Sequence, residues 1–225
     1  MSRYLVRRAA QPPRFEDDFF TGDQWKNAET MTLENAYYRP GMNPEDCFRP
    51  NVKLKVMYDD QNIYGLYCVE DQYIKVTRTG YQQSVCCDSC VEIFLQPQDD
   101  EFHYLNFEFS GGTAMLLYNI HDLKTKKYDV VPDADCETVI RRSTLPAKVD
   151  PEITEPMTWK FFFQIPIALF VKTGTNVNPS LSGQVWHGNV TKCADECSHP
   201  AWMSWQSLTK LNFHLPECFG EFEFE

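Results

Sequence analysis

The chain has 225 residues, 43% hydrophobic and 24% charged, with a net charge of −11. That length can bury a full core without help from disulfides or metals. An acidic chain with no basic stripe is a poor partner for nucleic acid, and no apolar run approaches the length of a membrane span. Aromatic residues stand out at 14%, with 16 Phe, 11 Tyr and 5 Trp. They favour strands and supply flat faces for ligands.

Residues 1–13 read as a lead-in ending in Pro12-Pro13. The stretch carries arginines but no apolar core, so it is not a secretory signal. The expectation is a cytoplasmic protein unless a leader was removed. No repeat, low-complexity block or Gly/Ser-rich linker follows, and residues 1–225 read as one domain. Val52–Tyr58 alternates apolar and polar residues, and the polar turn Asp59–Asn62 leads to a hairpin partner at Ile63–Val69. Cys90–Leu95 sets Val91, Ile93 and Leu95 on one face and Glu92 on the other with Phe94. Phe102–Phe109 sets Leu105, Phe107 and Phe109 against Tyr104, Asn106 and Glu108. The turn Ser110-Gly111-Gly112 returns into Thr113–Tyr118. Thr138–Leu145, Met157–Ile165, Val185–Val190 and Phe219–Phe224 continue the pattern, with one short helical turn at Ile167–Lys172. Many short strands and little helix predict an all-β, two-sheet antiparallel sandwich of jelly-roll type.

The landmarks in this order resemble the family 9 carbohydrate-binding modules, from about Phe15 to Phe224. Trp25–Ala28 is similar to an early "W..A". Val56–Asp60 with Ile63–Tyr67 is similar to a "y.D..LY" hairpin, and Asp88–Phe94 to a "D.vEiF" strand. Tyr104–Phe109 and Trp159 with Ile165-Pro166 follow. The tail runs Trp186–Asn189, Ser198–Pro200, Ser204-Trp205, Asn212–Pro216 and Phe219-Gly220. The resemblance implies a non-catalytic sandwich that binds sugar, often beside enzymes that degrade xylan or cellulose. It therefore implies a mono- or oligosaccharide ligand of glucan or xylan type and a glycan-degrading enzyme as partner. Some modules of the family bind calcium, so calcium is the one ion expected, and none is expected to be required for folding.

A sugar offers an apolar ring face and a rim of hydroxyls, which calls for an aromatic platform and fixed polar groups. Glu92, Asn106 and Glu108 could supply the rim contacts, or form a solvated strand face. Glu92 and Asn106 also match positions where the family projects polar groups, whereas Asp88 would order its loop. Trp25 and Trp159 read as core. Trp186, Trp202 and Trp205 are platform candidates, with Trp205 the best match to the family's platform and Asn189 beside them in the candidate set. The family's second clamping aromatic would fall at Val85-Cys86-Cys87, where this chain has none. Tyr81 is the nearest one upstream.

Nine cysteines read as thiols. Cys86, Cys87 and Cys90, and Cys193 and Cys197 flanked by His187 and His199, could together hold zinc. Their spacing is not specific, adjacent Cys86 and Cys87 would point to opposite faces of a strand, and buried apolar fillers are the preferred reading. Two alternatives remain open. A glycoside hydrolase would need a carboxylate pair flanking a bond, and a protein-interaction sandwich would need a large exposed apolar patch.

Overall fold

The computed structural model describes residues 2–101, 103–122, 125 and 127–225. Met1, at the head of the expected lead-in, and Phe102, at the head of one expected strand, lie outside the described residues. In chain order the strands are β1 (Arg3–Arg8), β2 (Met31–Thr32), β3 (Asn35–Ala36), β4 (Asn51–Tyr58), β5 (Asn62–Asp71), β6 (Ile74–Val76), β7 (Cys90–Gln96) and β8 (Tyr104–Ser110). They continue with β9 (Met115–Ile120), β10 (Tyr128–Val130), β11 (Ile140–Ser143), β12 (Val149–Ile153), β13 (Met157–Pro166), β14 (Val185–Cys193), β15 (Trp202–Ser204) and β16 (Gly220–Phe224). Among the described residues the α-helices are short, α1 (Asp133–Cys136) and α2 (Ile167–Lys172). The second starts directly after Pro166, where a fixed φ and a missing N–H do no harm. Among the described residues no helix is long and apolar enough to cross a membrane.

The expected two-layer sandwich is present as one curled sheet, in the order β10-β9-β8-β7-β14-β16-β1-β4-β5-β13-β11, with a separate β6–β12 pair. β1 joins the layers. Arg3–Val6 pair in parallel with Glu221–Phe224 of β16, and Arg7 and Arg8 pair in parallel with Met57 and Tyr58 of β4. The lead-in reading of residues 1–13 is thereby corrected for Arg3–Arg8. Tyr4 and Val6 are buried in the main core, Leu5 between them is half-buried, and Arg3, Arg7 and Arg8 on either side are more open. This is the alternation of a half-buried strand, masked by its charged side.

The main core lies between the layers. Val91, Ile93 and Leu95 of β7 and Leu105, Phe107 and Phe109 of β8 meet Val52, Leu54 and Val56 of β4 and Phe161 and Phe163 of β13. The inner face also holds an ion pair. Lys192 Nζ lies 3.4 Å from Asp71 Oδ2, both fully enclosed, and the same carboxylate oxygen accepts from Trp159 Nε1 at 3.1 Å. The outer face of the β4–β5 layer is covered as well. Phe19, Trp25 and Ala28 pack on Met57, Tyr64, Leu66 and Phe162, and Lys55 Nζ donates to the Trp25 carbonyl at 2.8 Å. Trp25 and Trp159 are both core residues, as the sequence suggests.

Candidate functional site

The outer face of the other layer carries the polar residues singled out in the sequence. Period-two alternation puts Cys90, Glu92 and Phe94 of β7 on that face, with Asn106 and Glu108 of β8. β14 contributes Asn189, Thr191 and Cys193. Register then sets neighbours. Glu92 stands directly opposite Glu108 on one side and Thr191 on the other, and Cys90 stands opposite both Ser110 and Cys193. At Gly188 the inner side of β14 has no room for a side chain, since a Cβ there would lie 2.0 Å from the Phe94 carbonyl oxygen and 2.9 Å from the Phe222 ring.

The chain after β14 folds back over this face and encloses a cavity of about 360 Å3. Glu92, Glu108, Cys193 and Cys86 line its sheet side, and Arg39, Asp195, Trp202 and residues 211–214 line the rest. Glu92 is held from two sides: Thr191 Oγ1 donates to Oε2 at 2.9 Å and the Cys193 thiol donates to Oε1 at 2.9 Å. Burial pushes the Glu92 carboxyl upward against these hydrogen bonds. Glu108 is also held well up, first by burial and then by the neighbouring Glu92 and Asp195. Two carboxyls on facing strand positions in an enclosed site favour keeping a proton between them. Burial likewise pushes the Cys90 thiol up to about 12.

Trp202 is only 4% exposed, and its Nε1 donates to Asp195 Oδ1 at 2.7 Å. Arg39 bonds the other oxygen of Asp195 at 2.7 Å, and its guanidinium lies 4.6 Å from the centroid of the Trp202 ring. That stack covers one face of the indole. The Arg39 side chain is 49% exposed, so it can swing outward without breaking a packed core.

The sequence candidates therefore divide. Glu92, Glu108 and Trp202 meet at the cavity. Asn106 is buried on the same face, next along β8. It bears on the Glu92 carboxylate, yet neither of its amide atoms makes a hydrogen bond of normal geometry in the protein. Asn189 does not line the cavity. Its Oδ1 accepts from the backbone N–H groups of Val190 and Gln206 at 2.9 and 3.0 Å, which pins the chain after β15 to β14. Of the other platform candidates, the structure corrects Trp186 and leaves Trp205 outside the cavity. Trp186 faces the main core, fully buried, with Phe170 and Phe224 edge-on at 5.1 and 5.2 Å. Trp205 packs toward the same core against Phe222 at 5.3 Å and lies away from the cavity. Tyr81 is also elsewhere, its hydroxyl taken by Arg141 at 2.9 Å. Asp88 orders its loop: its carboxylate accepts from Thr77 N, Arg78 N and Ser110 Oγ. Arg39 and Asp195 were not anticipated, and neither carries a local sequence signal. Phe213 and His214 sit in a landmark of the tail, which was the available clue.

The strain on Glu108 has a measurable consequence. A carboxyl whose folded pKa is raised binds more protons folded than unfolded, so its contribution to stability falls as pH rises above the ordinary glutamate range of about 4.3. Glu108→Gln is expected to melt higher than the wild type at pH 8 and to lose that advantage at pH 5. Each kcal/mol relieved is worth roughly 2–4 °C in a chain of this size. Equal melting shifts at both pH values in thermal scans would remove the basis for a strained carboxyl.

The family description "Carbohydrate-binding family 9" matches residues 29–224. The chain belongs to that family. Within it, the polar strand pair and the cavity of this family 9 chain lie inside the matched span. A candidate carbohydrate-binding protein from Bacteroides uniformis has a similar solved structure, at 22% identity and a TM-score of 0.83, with 99% of each chain covered. A family 9 module from Caldicellulosiruptor kristjanssonii, solved with glucose, is 16% identical with a TM-score of 0.64, covering 100% of this chain and 96% of that one. The same description with cellotriose gives 16% identity and a TM-score of 0.66, covering 100% and 94%. At these identities the likeness is one of fold. No curated protein shows a significant match to the chain.

Proposed function

We propose that the cavity over β7, β8 and β14 binds a mono- or oligosaccharide of glucan or xylan type and does no chemistry on it. The observation that carries this reading is the meeting of Trp202 with Glu92 and Glu108 in one concave site. The indole supplies a surface for a ring face, and the carboxyls supply acceptors and, when protonated, donors for the hydroxyl rim. Ligand pockets run from roughly 300 Å3 upward, so a cavity of about 360 Å3 suits a short ligand or a chain end. The solved relatives bound to glucose and cellotriose support the same sugar class.

Catalysis fits the site poorly. Hydrolysis of a glycoside uses carboxyls flanking the bond, one of them ionised. Glu92 and Glu108 rise side by side from a single sheet face, and burial favours the neutral form of both. A glycan-degrading enzyme is the partner that such a module would serve. Titration calorimetry with glucose, xylose, cellotriose and xylotriose, preceded by a glycan array, tests the reading. Saturable binding of one class is expected, with no release of product over hours. Silence across the whole array would shift the reading to a protein-interaction sandwich.

A further inference from the structure

We propose that Cys90, Glu92 and Cys193 form a binding site for a thiophilic divalent cation, zinc by preference, at the edge of the cavity that Glu92 and Cys193 line. The proposal does not depend on the sugar reading, because the metal is measured with no sugar present. The sequence raises zinc for a different grouping, in which the cysteine clusters act with His187 and His199. The register selects another set. Cys193 faces Cys90 across the β7–β14 ladder, and Glu92 follows two residues after Cys90 on the same face. The two sulfurs and a Glu92 oxygen all lie within 4.8 Å of one another, and all three side chains are buried. His199 has left the group to stack on Tyr73 at 3.8 Å, and the Cys197 sulfur sits 3.7 Å from Ser89 Oγ.

The donor set chooses the ion. Calcium takes six to eight oxygen ligands, which two sulfurs and one carboxylate do not offer. Zinc takes four ligands in a tetrahedron from thiolate, imidazole and carboxylate. Three protein ligands leave one position toward the cavity, where Cys86 and Glu108 also line the wall. The carboxylate is already oriented for the task. Thr191 holds Oε2, which turns Oε1 toward the Cys193 sulfur at 2.9 Å, the kind of outer partner that fixes a metal ligand.

A second observation points to a cation independently of the three ligands. Besides Glu92 and Cys193, the cavity is lined by Cys86, Glu108 and Asp195, all groups whose charged form is an anion. The arginine that lines it, Arg39, is committed to Asp195 at 2.7 Å, and the nearby Lys192 faces the opposite side of the sheet to pair with Asp71. A dication at the Cys90–Glu92–Cys193 centre would replace the protons on both sulfurs and the one that burial favours on Glu92, all of which pass to solvent on binding. The main core is formed by other residues, so the ion is not expected to be required for folding.

The test uses the full chain, reduced and stripped with a chelator. Zinc titrated against a chromophoric chelator should bind at one equivalent. Cobalt in its place should give the near-ultraviolet thiolate-to-cobalt band of two sulfur ligands. Cys90→Ser and Cys193→Ser should each weaken zinc by more than the roughly 10–100-fold that loss of an outer partner costs, and each should cut the cobalt band to about half. Glu92→Gln, which keeps the shape of the side chain, should weaken zinc while leaving the band in place. Cys87→Ser, outside the cluster, should change neither. Failure of the wild type to take up one zinc with its thiols reduced would overturn the site. So would zinc retained unchanged by all three ligand variants, or a Cys90–Cys193 disulfide that resists reduction in the folded protein. Sugar titrations repeated in chelator separate this outcome from the proposed function.

Discussion

Trp186→Ala is expected to cost about 3–5 kcal/mol of folding stability, the range for truncating a large buried aromatic. Two features set that size. The indole is fully buried between Phe170 and Phe224, and its Nε1 donates to Gln184 Oε1 at 2.8 Å. The Gln184 oxygen would lose its buried donor as well, which adds to the cost. Sugar affinity of the folded fraction should be nearly unchanged, because Trp186 and Glu92 point to opposite faces of the same layer. Denaturant unfolding followed by calorimetry on the same variant reads both quantities. A variant that keeps its stability and loses its ligand would move the platform to Trp186 and remove the case for the cavity.

Trp202→Ala should have the converse signature in binding. Loss of an aromatic anchor of this kind costs about 2 kcal/mol or more, a fall in affinity of roughly 30-fold. Stability will fall too, since the side chain is nearly buried and its N–H satisfies Asp195. Trp202→Phe separates the two effects. It keeps a ring in the cavity, gives up the bond to Asp195, and should retain measurable affinity with a smaller stability loss. If Trp202→Phe and Trp202→Ala bind sugar as the wild type does, the indole is not the platform.

Much of the architecture was legible because alternation survives in single strands. Glu92, Asn106 and Glu108 were assigned to the face opposite Ile93 and Phe107 on period alone, and the structure has them there. The tryptophans were harder because a side chain's fate depends on which side of its strand is covered. Parity held part of the answer. Trp202 and Trp205 are three residues apart, so along an extended chain they point to opposite sides. Likewise Trp186 is out of phase with Asn189, Thr191 and Cys193. What parity could not supply was the second cover: residues 9–28 lie on the outer face of the β4–β5 layer, and the chain after β14 lies on the face of Glu92. The nearness of two cysteines was hidden for another reason. Cys90 and Cys193 are 103 positions apart in number, and only strand register makes them neighbours.

The place of β1 bears on how the sandwich comes together. The earliest strand of the chain is the hinge of the ladder, and one of its two partners is the latest strand, with Arg3 beside Glu221. Both pairings of β16 wait until residues from 220 onward are available. Until then β1 and β14 each offer a bare edge, whereas β4 is already met by β1 and β2. Loop closure over such a span is paid for late and slows folding relative to chains with local pairing. During synthesis, half-finished copies of this chain would therefore present strand edges to one another, and nascent-chain protection would matter most just before the last strand emerges.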